Sequence, residues 1–321
     1  MDGKRYTKTL LKQRDNLIRF LEHNEIDKKK WDAAIALSPT AVVYACSWYL
    51  DIVSPKWSAM VEDDYSSVFP LCQRSKFLFN YLFQPNFTQQ GGLFQQNSIP
   101  SKEKLQQFLE NIPSKYKLVE INLNFQNSIN KFGKWIYQER KTHHLSLNFS
   151  IDEIRKKYSE NLSRNIKKAT KTGIHVESDD DLQSVISLFR SERGKAIKTL
   201  REFDYIILMK LFEQGNKQNL FELLVVKNSL GKLIAGALFL KSFHSYVFLF
   251  SATNNEARQN GAMSLILDHF IEQHQYENKV LDFEGSMDKD LARYYKSFGS
   301  QEIVYLQIRK NTLPPLIRLL K

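Results

Sequence analysis

Three apolar runs, NLFELLVVKN, KLIAGALFLKS and SYVFLFSAT, crowd into residues 219–253 with only short polar turns between them. The first two meet at Asn228 to Gly231, a good hairpin signal, so the three read as a meander. The period then changes. AMSLILDHFIEQH (262–274) repeats its apolar residues every 3.6 positions, as a helix lying on a sheet does. KVLDFEG follows as a strand, DKDLARYYKSF as a helix and QEIVYLQIRK as a last strand. Upstream, HHLSLNFS (143–150) reads as a strand. Helical segments come after it: IDEIRKKYSENLSRNIKKATKTG, then DDLQSVISLFRSERGKAI with FDYIILMKLFEQG behind. The order β-α-α-β-β-β-α-β-α-β predicts an α+β fold, three layers deep, with a mixed central sheet.

The first half has a similar grammar. NLIRFLEHNEI (16–26) reads as a strand, IDKKKWDAAIAL and YACSWYLDIV (44–53) as helices, and WSAMVED and YSSVFPLCQRS as strands around the acidic turn Glu62 to Asp64. SKEKLQQFLENI (101–112) reads as a helix and KLVEINLN (117–124) as a strand. Two similar folds in tandem are therefore expected, residues 1–134 and 135–321, divided near the polar, turn-rich stretch 124–135. A length of 321 residues suits two apolar cores.

Composition narrows the function. No stretch approaches the roughly 18 apolar residues of a membrane span, and the charged start MDGKRYTKTLLKQRDNLIR does not read as a secretory signal, so a cytoplasmic protein is expected. Cys46 and Cys72, the two cysteines, have no metal-ligand spacing and read as small buried hydrophobes; no metal is expected. A net charge of +11 favours a polyanionic partner: nucleic acid, a phosphorylated cofactor or an anionic membrane surface.

The chemistry-bearing residues gather in LDFEGSMDKDLARYYKSFGS (281–300). Asp282 and Glu284 share one face of their strand, with Leu281 and Phe283 on the other. Glu284 is the candidate base; pairing with an arginine, or capping the next helix, suits Asp282. Asp288 and Asp290 favour a helix start and Gly299 a stop, which puts Leu291, Tyr294, Tyr295 and Phe298 on one broad face. Tyr295 is either a proton donor or a packed aromatic with a satisfied hydroxyl. SATNNEARQNGAMS (251–264) is either an anion-binding turn at a helix amino terminus or an ordinary strand-to-helix connection. Seven basic residues from Arg155 to Lys171 read as a solvated helix surface or as a phosphate-binding face. The charge-free stretch 77–96, aromatic and amide in turn, either lines an acceptor pocket or packs between domains. His143 and His144, with no carboxylate at partner spacing, read as structural. LPPLIRLLK (313–321) reads as a docking helix or a membrane contact.

The element order and these motifs resemble the GNAT acyltransferases. Ala292, Tyr295 and Gly299 fit an A-x-x-Y-x-x-x-G spacing, and Arg258 and Gly261 fit the first two defined positions of the family's Q/R-x-x-G-x-G/A loop, where Met263 replaces the third. NLSRNIKKATKTGIHV (161–176), AGALFL, FSAT and LDFEGSMDKDLARYYKSFG resemble the FemABX-like group, which carries two GNAT folds in tandem. CSWYLDIVSPKW and YLFQPNFTQQGGLF resemble the first half of its bacterial acetyltransferase-like relatives.

The resemblance implies N-acyl transfer to an amine acceptor, a small molecule or a peptide. Acetyl-CoA or another acyl-CoA is the implied donor. Its binding residues would be Ser251, Ala252, Thr253, Arg258, Asn260, Gly261 and Ala262, with a backbone N–H near Ser251 to Thr253 polarising the carbonyl. Tyr295 would be the general acid, and Met263 would crowd the phosphates. Two alternatives stand beside it: a FemABX-type transferase that takes its amino acid from aminoacyl-tRNA for a cell-wall precursor, and a non-catalytic protein that keeps the fold for binding.

Overall fold

A computed structural model describes residues 17–76, 79–192, 200–285 and 287–314; the expected leader strand start at 16, Phe77, Leu78, the helix end at 193–197 and most of LPPLIRLLK lie outside the described residues. In chain order the first half runs β1 (Ile18–Leu21), α1 (Lys28–Ala36), α2 (Ser47–Val53), β2 (Ser58–Glu62), β3 (Ser67–Leu71), β4 (Gln73–Lys76), β5 (Phe79–Leu82), β6 (Phe94–Gln95), α3 (Lys102–Glu110) and β7 (Tyr116–Asn122). The second runs β8 (Ile136–Ser146), α4 (Ile151–Arg155), α5 (Glu160–Lys171), β9 (Val176–Asp179), α6 (Leu182–Ser191), α7 (Glu202–Asn216), β10 (Phe221–Lys227), β11 (Leu233–Lys241), β12 (Ser245–Thr253), α8 (Asn255–Asn260), α9 (Ala262–Gln273), β13 (Val280–Asp282), α10 (Lys289–Lys296) and β14 (Gln301–Asn311).

The strands form two mixed or antiparallel sheets. A four-stranded sheet has the order β1-β2-β3-β6, and a ten-stranded sheet the order β4-β5-β7-β14-β8-β13-β12-β11-β10-β9. The larger sheet takes strands from both halves. β14, last in the chain, lies antiparallel between β7 and β8, with Ile308 opposite Ile121 on one side and Tyr137 on the other. Ile308 is fully buried in the first half's core, with Leu105, Phe108, Val119 and Trp135. That core and the second half's own clusters are therefore tied by backbone hydrogen bonds rather than by a linker alone.

Several boundaries differ from the sequence reading, each for a local reason. YSSVFPLCQRS is not one strand: β3 ends at Leu71, and β4 begins at Gln73 in the other sheet. The change of sheet at Cys72 leaves no composition signal because both pieces are short. The helix expected from Tyr44 starts at Ser47, whose N–H and hydroxyl both bond to Asp32; Val43–Ala45 form a separate 3₁₀ turn. β8 begins at Ile136 rather than His143; its early, mostly polar residues pair with β14, and β13 joins only at His144–Ser146. β9, an edge strand, has too little apolar alternation to stand out. IDEIRKKYSENLSRNIKKATKTG breaks into α4 and α5 at Ser159, whose hydroxyl caps α5 through Leu162 N–H at 3.2 Å.

All four tryptophans, Trp31, Trp48, Trp57 and Trp135, lie in residues 31–135. Substituting Ile308→Ala in the last strand removes a buried side chain from the core cluster that holds Trp135 and should cost about 2–5 kcal/mol. Denaturant unfolding followed by tryptophan fluorescence checks this: the midpoint falls if β14 stabilises the first half, and stays put if it does not.

Candidate active site at the opening between two strands

The parallel pair β12–β13 is hydrogen-bonded only over Ser245–Val247 against Val280–Asp282. Past Val247, β12 continues to Thr253 and is paired on its other side with β11. Alternate residues of that stretch turn their N–H and C=O groups toward an unpaired edge. The local cause sits at the end of β13. Glu284 has a left-handed φ of 59°, a conformation that costs energy for a residue with a Cβ, and the Asp282 carboxylate holds it there by accepting the Glu284 N–H at 2.8 Å. The chain thus leaves the sheet two residues after β13 ends. A cleft of about 550 Å3 opens between the strands, lined by Phe248–Thr253 on one side and Phe283, Glu284 and Tyr295 on the other.

Asp282 is part of the scaffold, though not as the sequence suggested. Its partners are the Thr142 hydroxyl, the Glu284 N–H and, at 3.4 Å, His144 Nε2 from the neighbouring β8; among the described residues no arginine pairs with it, and Asp288 rather than Asp282 caps α10. His144 accordingly has a carboxylate partner across the sheet, a pairing that spacing along the chain cannot show. His143, fully buried on the opposite face, packs its ring 5.9 Å from that of Tyr295, and burial lowers its pKa.

Glu284 is half-buried. Its Oε1 accepts a hydrogen bond from Tyr44 Oη at 2.5 Å. Desolvation raises its pKa from the usual carboxylate range to about 8, helped by the nearby Asp282 charge and opposed by the Tyr44 bond. A carboxyl poised there changes charge near neutral pH, which is what a general base or acid needs.

α10 carries the two tyrosines. Asp288 caps it by accepting the N–H groups of Asp290 and Leu291, and Gly299 closes it at φ 78°, where a Cβ would stand 2.6 Å from Lys157 Cβ. Tyr294 and Tyr295 both line the cleft. Tyr295 is buried and stacked on Phe283, centroids 5.0 Å apart. Tyr294 Oη lies 3.2 Å from Ser264 Oγ, and burial pushes its pKa up.

The strand-to-helix turn forms the far end of the cleft. Gly261 ends α8 and begins α9 at φ 82°, with α5 so close that a Cβ would meet the Asn165 carbonyl at 2.7 Å. Only glycine fits. The first turn of α9 therefore presents its unpaired N–H groups beside the cleft. Ser251, Ala252, Thr253, Arg258 and Gly261 line it; Asn260 and Ala262 do not, and instead shape the turn, with Asn260 Oδ1 accepting the Ala262 N–H at 3.1 Å. Arg258 is already engaged: its guanidinium donates to the Thr253 carbonyl and to Glu192, each at 2.9 Å. Met263 lines the cleft and packs partly on the core.

Other candidates separate. Of the seven basic residues in 155–171, Arg155 is bound by Asp268 and Glu272, while Lys156, Lys157, Arg164, Lys167, Lys168 and Lys171 are exposed. Three amides of the charge-free stretch satisfy main-chain groups of the first half, Gln84 and Gln90 the N–H groups of Asn122 and Phe125 and Gln96 the Tyr65 carbonyl, while Asn86 donates to Asp204 of the second half. One of its aromatics, Phe87, reaches the cleft and meets Phe250. Tyr44 was missed by sequence reasoning, since nothing in VVYACSWYL marks it. Desolvation lifts the thiol pKa of both cysteines to about 12, and both are half-buried. No grouping of His, Cys, Asp and Glu suited to a metal ion occurs among the described residues, and among those same residues no helix is long and apolar enough to cross a membrane.

The family model of the Acetyltransferase (GNAT) domain matches residues 156–290, the stretch that holds the opened strand pair and the glycine-started helix. Among solved structures, the crystal structure of FemX aligns with a TM-score of 0.66 at 13% identity, covering 92% of this chain and 98% of that one. A tandem GNAT protein from the clavulanic acid biosynthesis pathway aligns at 0.54 and 7% identity, covering 93% and 99%. The carboxyl-terminal domain of a putative lysylphosphatidylglycerol synthetase from Agrobacterium fabrum aligns at 0.56 and 10%, covering 89% and 92%. Comparison with curated sequences finds no match. The fold is the one shared by the FemX and tandem GNAT structures, as the sequence resemblance implied.

Because its pKa is raised, Glu284 binds more proton in the folded than in the unfolded chain between about pH 4.5 and 8, so its ionisation lowers stability as pH rises through that window. Glu284→Gln should flatten the decline. Melting temperatures of both proteins across pH 5–9 check it: the difference between them grows toward pH 8 in favour of the variant.

Proposed function

We propose that the chain is an N-acyltransferase that moves an acyl group from an acyl-CoA thioester to an amine, with two GNAT-like units, 1–134 and 135–321, sharing one sheet. The observation that carries the reading is the strand opening itself, with Glu284 and Tyr295 on one wall and a bare strand edge on the other. A long slender donor would lie along β12, its amides meeting the unpaired backbone groups. Its diphosphate suits the α9 amino terminus, where Gly261 lets the backbone approach. Bound there, the thioester supplies an activated acyl group.

The protein's residues supply proton handling and polarisation. The amine nitrogen bonds the acyl carbon as the carbon–sulfur bond breaks; the amine's proton passes to Glu284, and the departing sulfur takes one from Tyr295. A backbone N–H of Ser251 to Thr253 polarises the carbonyl. Glu284, with its pKa near 8, is ionised on the alkaline side of neutrality, so transfer should rise with pH up to that value.

A second reading keeps the fold and takes an aminoacyl group from tRNA. It is favoured by the likeness to FemX and by α5, whose exposed Arg164, Lys167, Lys168 and Lys171 share a helix with the cleft-lining Asn165. Salt separates the two: tRNA binding weakens steeply with ionic strength, whereas a small donor touching few phosphates responds less.

Acetyl-CoA at 100 times its dissociation constant should stabilise the protein by about 2.7 kcal/mol, seen as a rise in melting temperature. A melting point unmoved at saturation removes the thioester donor. Tyr295→Phe should leave that shift intact and lower turnover by roughly 10²-fold or more; equal turnover in the variant removes Tyr295 from the chemistry.

A further inference from the structure

The base proposed above does not belong to the GNAT half alone. Tyr44 lies 240 residues upstream of Glu284, in the 3₁₀ turn before α2, and its hydroxyl makes the 2.5 Å bond to Glu284 Oε1. The turn is anchored to the second half: Val43 N–H donates to Ser242 Oγ at 3.0 Å, and the Tyr44 ring packs edge-on against Tyr49, which in turn bonds the Phe87 carbonyl. Tyr44 itself is 3% exposed.

We propose that Tyr44 is the positioning residue for Glu284, a donor from the first half that fixes one carboxylate oxygen and leaves Oε2 for the incoming amine. This rests on the reading of Glu284 as the base. Three features make the assignment. The Glu284 main chain is already set by Asp282, so the only freedom left is that of its side-chain torsions, and the Tyr44 bond removes it. No Lys or Arg forms an ion pair with Glu284 among the described residues, which leaves a neutral hydroxyl as its partner. Burial and the Glu284 charge raise the phenol's own pKa well above its ordinary value, so Tyr44 stays a donor throughout the working range.

The groups that face Glu284 are known from each packed element. Asp282 comes from its own strand, Tyr44 and Tyr49 from the first half, Tyr305 from β14 and Tyr295 from α10; Lys141 of β8 offers only its carbonyl beside Gly285, its ammonium being paired with Glu302. Tyr49 and Tyr305 make no hydrogen bond to the carboxyl among the described residues, the Tyr49 hydroxyl being given to the Phe87 carbonyl. A charge-assisted hydrogen bond favours the ionised form by about tenfold or more.

The test titrates Glu284 directly. In protein carrying 13C-carboxyl glutamate, the Glu284 resonance is the one lost in Glu284→Gln. Tyr44→Phe should move its midpoint up by about one pH unit, and the acid limb of the transfer rate should move with it; Tyr49→Phe, whose hydroxyl serves a carbonyl, should leave the midpoint in place. A midpoint unchanged in Tyr44→Phe overturns the proposal. Should that variant not fold, the wild-type protein still decides: the bond requires an exchange-protected hydroxyl proton that shifts upfield in Glu284→Gln, where a neutral amide oxygen replaces the carboxylate as acceptor, and its absence from the wild-type protein overturns the proposal equally. Failure of the base reading has a different signature, acyl transfer by Glu284→Gln at the wild-type rate whatever the titrations show.

Discussion

A single side-chain contact sets the shape of the site. The Asp282 carboxylate accepts the Glu284 N–H and so stabilises a left-handed residue directly after a strand. A strand that continued in extended conformation would go on pairing with β12 and close the sheet. The turn makes it diverge, and the six residues of β12 beyond Val247 are left with a free edge. The cleft, the exposure of backbone groups and the placement of Glu284 at its wall are three results of one conformational choice. Asp282 can hold that turn because the Thr142 hydroxyl of β8 bonds it from behind, with His144 Nε2 3.4 Å from its other oxygen, and an unpaired carboxylate at 7% exposure would be costly.

The same contact explains why the two halves share a sheet. β13 is three residues long and cannot by itself support the turn that follows. β8 lies beside it over those residues, β14 lies beside β8, and β7 beside β14. The first half thus braces the wall of the cleft through backbone hydrogen bonds, and it also reaches in with Phe87 and Tyr44. A chain divided into a catalytic half and an inert one would need neither contact.

Much of this was legible in the residues. The meander, α9 and α10 have strong periods, α10 has a good cap, and Gly261 and Gly299 mark two places where a left-handed turn meets a neighbouring backbone or side chain. Tyr295 could be singled out because spacing within one helix is a local property. What the sequence hid is long-range or very short. The change of sheet at Cys72 takes one residue, and the His144–Asp282 and Tyr44–Glu284 pairs join strands and turns that lie 138 and 240 positions apart in the chain. Such pairs arise from sheet order, and no periodicity encodes sheet order. Asn260 and Ala262, expected among the donor-binding residues, do not line the cleft, and the Asn260 side chain accepts the Ala262 N–H within the turn.

Charge inside the cleft differs from charge on the chain as a whole. The net charge is +11, yet Arg258, the cation lining the cleft, already holds Glu192 and the Thr253 carbonyl. Neutralised in this way it adds little attraction for a polyanion, because an ion pair presents a dipole rather than a net charge. Recognition of a phosphate at this end then falls to the N–H groups of the α9 start, which act at contact distance and need a backbone free of Cβ at Gly261. The surplus lysines and arginines of α5 stand outside, where they act over a Debye length and raise encounter rate more than affinity. A donor with a single diphosphate can be held by the helix end alone, while a long polynucleotide would have to engage the outer face as well. The division between inner dipole and outer charge is therefore the physical feature on which the choice of donor turns.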